Sequence, residues 1–380
     1  MDFSLTDEQT LLRDSLTRFL STRYSLEKSR AAAKTGAGWQ PDIWRAFAEE
    51  LGILGAAVPE ESGGIGGGAV EMMLIAEALG HALVIEPYVD TAIVAAGLLR
   101  RAGGVAAEAL LEQIVSGTAI VSLAATEPTS GEFWCDVTTR AIRDGDDWVL
   151  TGEKIVSTST PLATHVLITA RTAGERADTQ GISLFFVEID SATTNIEMHH
   201  YRTVDDRRAS DITLDGLRLP GTALLGAQGA AWSSLAHARD EGAAAVSAEA
   251  VGCMRKVLAD TVEYCKQRQQ FGQPIGSFQV LQHRMVDMYM DVEQSAAAVL
   301  LAILKLDEDD TTRARAVSAA KATVGRAAQY VGQQAVQLHG GMGMTEELAI
   351  GHYFKRLTAL QYEFGSTDHH VARYGRLTTR

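Results

Sequence analysis

Apolar residues recur at helical spacing through the first hundred positions. Leu11, Leu12, Leu16, Phe19 and Leu20 follow a stretch in which Thr6 and Gln9 form a capping-box pattern, so a helix is predicted to start there. Pro41 opens a second helix carrying Ile43, Trp44, Phe47 and Leu51, with Gly52 as its stop. The glycine-rich residues 58–68 lack a Gly-Lys-Ser/Thr ending and a strand–turn–helix setting. They read as a helix–helix connection rather than a phosphate loop. Helices over 69–80, 88–102 and 106–116 complete a helical first domain, residues 1–118.

At Ala119 the period changes. Ile120 to Ala124 is a short apolar run, and Val137 to Arg143 alternates. Asp144-Gly145-Asp146 is a turn into Trp148-Val149-Leu150. His165 to Ala170, Ile182 to Glu188 and Ile212 to Leu214 read as further strands. Residues 119–226 therefore form a predicted small antiparallel β-barrel or sandwich. From Gln228 the pattern is helical again, over 232–267, 279–306, 312–338 and 345–361, which makes 227–380 a C-terminal four-helix bundle. The fold class is α+β, mainly α. Near its end stands Gln337-Leu338-His339-Gly340-Gly341-Met342-Gly343-Met344. Gln337 is the predicted end of one helix. The next is expected to begin near Thr345, with Glu346 and Glu347 in its first turn.

A chain of 380 residues with 46% hydrophobic content is long enough for several domains with a real core. Its net charge of −14 disfavours nucleic acid or an anionic membrane as partner. The three cysteines, Cys135, Cys253 and Cys265, form no Cys-x-x-Cys pair, and residues 1–20 carry no apolar signal core. A cytoplasmic protein without a membrane span is expected. The histidines have no ligand-spaced partners, so no metal site is expected. There is no Gly-x-Ser-x-Gly elbow, no Walker loop and no nicotinamide fingerprint.

Four stretches carry candidate chemistry. Ala125-Thr126-Glu127-Pro128-Thr129-Ser130-Gly131 offers hydroxyls and backbone to a polar ring system, or is a plain turn. The second is Lys154 to Ser159, whose Thr158 would lie near the first stretch if the strands pair. Arg268-Gln269-Gln270-Phe271-Gly272 with Gln279 suits a phosphate and a ring, or is an exposed charge beside a core aromatic. The glycine hinge is the fourth, with Gln337 as an amide donor.

In this order across a helical–β–helical chain, these stretches resemble the acyl-CoA dehydrogenase family from Phe3 to the last helix. Arg268 to Gly272 and Gln337 to Gly341 are the most specific parts. The tail, from Gly351 to Thr358 and from Phe364 to His370, is similar to the pimeloyl-CoA dehydrogenase small-subunit branch. The resemblance implies FAD between the β domain and the C-terminal helices. Ala125, Thr126 and Thr158 match positions that meet the isoalloxazine. Arg268, Phe271 and Gln279 match positions that hold its pyrophosphate and adenine side across the dimer interface. Gln337, Gly340 and Gly341 match the hinge approaching from a neighbouring subunit, and Thr367 and His369 match last-helix contacts. The implied reaction is α,β-dehydrogenation of an acyl-CoA thioester. A carboxylate takes the α-proton, hydride goes to the flavin, and electrons pass to an electron-transfer flavoprotein. A homo- or hetero-tetramer, a dimer of dimers, is implied.

The sequence departs from that pattern at the base. The two positions the family uses fall on Gly242 and Gly365. Glu241 is the preferred candidate base, if a register change at Gly242 turns it inward, and Glu363 is the runner-up. Ala243 stands where the family usually has an arginine, and Val156 where a tryptophan often shields the flavin. Two alternatives follow. One is a degenerate, non-catalytic subunit that completes the FAD site of a heteromeric enzyme. The other is a flavin oxidase or monooxygenase on the same fold.

Overall fold

The computed structural model describes residues 4–190 and 193–379; Phe3, where the resemblance begins, lies outside them. Among the described residues, six α-helices precede the first strand: α1 (Asp7–Arg23), α2 (Leu26–Thr35), α3 (Pro41–Glu49), α4 (Ala69–His81), α5 (Ala96–Ala102) and α6 (Val105–Val115). Thr6 caps α1 through the reciprocal bonds with Gln9. The helix predicted over 88–102 is of two kinds, because Val89–Ala95 is π-helical before it tightens into α5. Such wide turns are rare and concentrate near functional sites.

Among the described residues, eight strands form one sheet: β1 (Val121–Ala124), β2 (Arg140–Asp144), β3 (Asp147–Thr158), β4 (His165–Arg171), β5 (Ile182–Glu188), β6 (Ile196–Arg202), β7 (Arg208–Pro220) and β8 (Leu224–Leu225). The order is β6-β7-β3-β2-β4-β5-β8, with β1 added on β4. Most neighbours are antiparallel, as the hairpin signals predict. However, β1 runs parallel to β4, and β2 meets β4 in parallel at Arg140 and Arg171, so the sheet is mixed. The core includes Trp148, Leu150, Val166, Ile168, Phe185 and Leu214. Side chains of this size contribute about 1.5–3 kcal/mol each when fully buried.

The rest is α7 (Trp232–Gln267), the short hairpin β9 (Gln269–Gln270) and β10 (Gln273–Pro274), then α8 (Gln279–Ile303), α9 (Asp310–His339), α10 (Ala349–Leu360) and α11 (Thr367–Thr378). Helices α8, α10 and α11 all pack on α9. At the hinge, α9 runs on through His339, and Gly340–Met344 is a 3₁₀ turn. That turn and the residues after it delay α10 to Ala349. Glu346 and Glu347 therefore precede the helix rather than sit in its first turn.

The chain divides into two compact units, one containing α1, α4 and everything from Ala243 onward, the other Arg30–Gly68 and Ile85–Gly242. In the first unit α4 and α7 touch backbone to backbone. A Cβ on Gly80 would lie 2.0 Å from the Glu249 carbonyl oxygen, and one on Gly252 would lie 1.9 Å from that of Glu77. Among the described residues no helix is long and apolar enough to cross a membrane.

Candidate functional site

In the sheet-containing unit, the first two candidate stretches meet. Ile155 N–H donates to the Thr126 carbonyl at 2.9 Å, and Ser157 Oγ donates to the Leu123 carbonyl at 3.1 Å. Ala125 is buried and Thr126 half-buried. Beneath them lies a charged pair with no solvent exposure, Lys154 Nζ donating to Glu127 Oε1 at 2.6 Å. Glu127 also accepts from Thr138 N at 2.6 Å and Thr139 N at 3.1 Å, and Lys154 donates to Thr169 Oγ1 at 2.9 Å. Burial pushes the Glu127 carboxyl up, but the Lys154 charge and these donors outweigh it and hold the group at about 2.

The end of β3 is held in an unusual conformation. Its ladder to β7 breaks between Lys154 and Ser157, and Val156 has φ +51°. A β-branched residue reaches that region only when its surroundings over-determine it. Here Asp211 Oδ1 accepts from Val156 N at 3.0 Å and from the Tyr201 hydroxyl at 2.9 Å. Ser159 is also left-handed, at φ +61°. The hydroxyls of Thr158 and Ser159 both donate to Asp90, Thr158 at 3.0 Å to Oδ1. Asp90 belongs to the π-helical segment, and its neighbour Thr91 exchanges hydrogen bonds of 3.0 and 3.1 Å with Val121 at the start of β1.

In the other unit, the third and fourth stretches come together. Tyr264, one turn before Arg268, stacks on His339 with ring centroids 4.3 Å apart, and His339 directly precedes Gly340. Arg268 and Gln279 are exposed, and so is Gln337. Phe271 sits at the tip of the β9–β10 hairpin with φ +55° and 90% of its surface exposed. The simple reading of Phe271 as a core aromatic is therefore excluded. Gly340 has φ +59°, and no atom lies within 4 Å of where a Cβ would stand on Gly340 or Gly341. The hinge backbone is open. A guanidinium, two amides, an uncovered aromatic ring and bare peptide groups make a donor set suited to a phosphate-bearing aromatic ligand.

Thr367 and His369 lie on α11, which packs against α9 away from the hinge. A Cβ on Gly325 of α9 would lie 2.3 Å from Thr367 Oγ1, which puts the start of α11 about 18 Å along α9 from Gln337. His369 is buried, and its backbone N–H is capped by Ser366 Oγ at 3.2 Å.

The two candidate bases are each engaged by arginine. Helix α7 is continuous through Gly242, so no register change occurs there. Glu241 is 9% exposed and takes both its oxygens to Arg101, at 2.9 and 2.7 Å, with His237 Nε2 at 3.5 Å. Glu363 pairs with Arg356, whose fork also binds Glu249 at 2.7 and 2.9 Å. Gly365 has φ +114°, and a Cβ there would lie 2.8 Å from His370 Nε2. Lys321 Nζ fixes this bend by donating to the carbonyls of Leu360, Gln361 and Gly365 at 2.9, 3.1 and 3.0 Å. Sequence reasoning missed Asp90, Arg101 and Glu249. They lie far along the chain from their partners and carry no local motif.

Models of the N-terminal, middle and C-terminal domains of acyl-CoA dehydrogenases match residues 6–118, 122–217 and 229–377. The acyl-CoA dehydrogenase FadE12 of Mycobacterium tuberculosis is 32% identical over 361 residues, covering 92% of this chain and 90% of the relative. The solved FAD complex of PigA superposes with a TM-score of 0.90 at 25% identity, over 99% of this chain and 98% of that one. The ChsE4–ChsE5 complex from Mycobacterium tuberculosis gives 0.88 at 25% identity, over 100% of both chains. With its helical, β and helical parts in this order, the chain belongs to the acyl-CoA dehydrogenase family.

Proposed function

We propose that this chain binds FAD and takes part in the α,β-dehydrogenation of an acyl-CoA thioester, with electrons passed on to an electron-transfer flavoprotein. The observation that carries the reading is the exposed, left-handed Phe271 beside Arg268 and Gln279, together with an open glycine hinge. An apolar ring held out to solvent in a strained turn is suited to being covered by a ligand. FAD, when bound, supplies the hydride acceptor. Arg268 would hold the pyrophosphate, Phe271 and Gln279 the adenine side, and Gln337, Gly340 and Gly341 the hinge contacts. Ala125, Thr126 and Thr158 would face the isoalloxazine, and Thr367 and His369 would complete the set. The FAD complex of PigA supports the same cofactor on this fold.

Glu241 is the proposed base. Both its oxygens are engaged by Arg101, so it must exchange that pair before it can accept a proton. Glu363 is under the same constraint from Arg356. These two clamps, with Gly242 and Gly365 at the positions the family uses, favour a second reading. In it the chain is the supporting subunit of a heteromer, in keeping with the pimeloyl-CoA dehydrogenase small-subunit tail, and the base comes from the partner. Either reading calls for a cytoplasmic homo- or hetero-tetramer built as a dimer of dimers, because the hinge completes a neighbour's cofactor site.

Anaerobic rapid mixing with acyl-CoAs distinguishes them. If Glu241 is the base, the chain alone bleaches its flavin. Glu241→Gln then slows bleaching by at least about a hundredfold at unchanged FAD content, and Glu363→Gln has a smaller effect. If bleaching requires a second chain whatever stands at 241, the base belongs to that chain. Hydrogen peroxide formation under air in place of electron transfer would identify an oxidase.

A further inference from the structure

Two adjacent residues of one π-helical turn hold the two segments assigned to the flavin ring. Thr91 grips Val121 at the start of β1, the strand that leads into Ala125 and Thr126. Asp90 grips Thr158 and Ser159 at the end of β3.

The Asp90 contact has a chemical consequence. A hydroxyl has one proton to give and lone pairs to offer, and a carboxylate can only accept. Thr158 gives its proton to Asp90 Oδ1 at 3.0 Å, and Ser159 gives its own to the other oxygen. Toward any further neighbour, Thr158 is left as an acceptor. In oxidised flavin N5 is a bare acceptor, and reduction adds an N–H there. A neighbouring hydroxyl restricted to accepting therefore suits the reduced ring better than the oxidised one.

We propose that Asp90 is a positioning residue that fixes the Thr158 hydroxyl as an acceptor toward the flavin and thereby raises the flavin midpoint potential above that of a freely rotating hydroxyl. This rests on the FAD reading given above. Asp90 also contributes a negative charge, which by itself lowers the potential, so the test must separate the two effects.

The experiment is potentiometric titration of the FAD-loaded chain, read from the flavin absorbance. Thr158→Val keeps the shape and removes the hydroxyl, and its potential should move to more negative values, whereas Thr158→Ser should stay at the wild-type value. A Thr158→Val shift to more positive values would mean that Thr158 donates to the oxidised ring, and would overturn the proposal. Asp90→Ala removes the charge in any background, but frees the hydroxyl only where Thr158 is present. Its effect should therefore be more positive in the Thr158→Val background than in the wild type. Equal shifts in the two backgrounds would also overturn the proposal. If Asp90→Ala does not retain FAD, the Thr158→Val and Thr158→Ser pair still decides. A wild-type chain that takes up no FAD would overturn the FAD reading itself, and this inference with it.

Discussion

Glu127 carries its charge where water does not reach, and it is stable there because every lone pair has a donor. Lys154, Thr138 and Thr139 supply those donors and hold the carboxyl at about 2. Because the folded group titrates below the ordinary carboxylate range, its stabilisation is complete above that range. It is lost as pH falls from about 4.5 toward 2. Glu127→Gln at neutral pH leaves the Lys154 ammonium buried without its counter-charge, at an expected cost of about 3–5 kcal/mol. The double variant Glu127→Gln, Lys154→Met should recover part of that loss and show a flatter melting temperature between pH 5 and pH 2 than the wild type. Thermal unfolding across that pH range checks both statements. Equal acid sensitivity in wild type and double variant would show that other groups dominate. The pair was only half legible in the sequence. Glu127 and Lys154 stood in stretches chosen for their chemistry, but nothing local says that the two share one buried space. Asp90 was less legible still, since its partners lie 68 and 69 positions away.

Helices and their ends were the most readable elements. The helix expected over 232–267 has those bounds, because alanine-rich amphipathic sequence continues until Arg268 and the turn at Phe271-Gly272. The π-helical turn at Val89–Ala95 was not readable, since nothing in Val-Asp-Thr-Ala-Ile-Val-Ala marks it off from an α-helix. The parallel pairing of β1 with β4 was hidden for a related reason, as hydrophobic runs fix burial and not strand direction. At this scale two changes have defined outcomes. Arg268→Ala at the end of α7 should release FAD with helix content by circular dichroism unchanged, since an exposed arginine contributes little to the fold and a charge-assisted phosphate contact much to the ligand. Unchanged flavin stoichiometry would reject the assignment. Gly252→Ala pushes a methyl group into the Glu77 carbonyl, where the Cβ position is 1.9 Å away, and should cost about 1–3 kcal/mol in denaturant unfolding. An unchanged midpoint would mean that α4 and α7 separate freely.

For the molecule as a whole, three domain matches, a relative at 32% identity and superposition on flavoprotein structures agree on family. Family membership leaves open what this chain does itself, because both carboxylates near the base positions are locked to arginines and Gly365 is walled in by His370. What each reading shares is a cofactor held by Arg268, Phe271 and the hinge. The most direct test is the flavin content and sedimentation of the chain as purified, alone. The account predicts yellow protein with close to one FAD per chain, in tetramers built as dimers of dimers that lose the flavin on Arg268→Ala. A colourless monomer that takes up no FAD, even when mixed with excess cofactor and candidate partner chains, would contradict it.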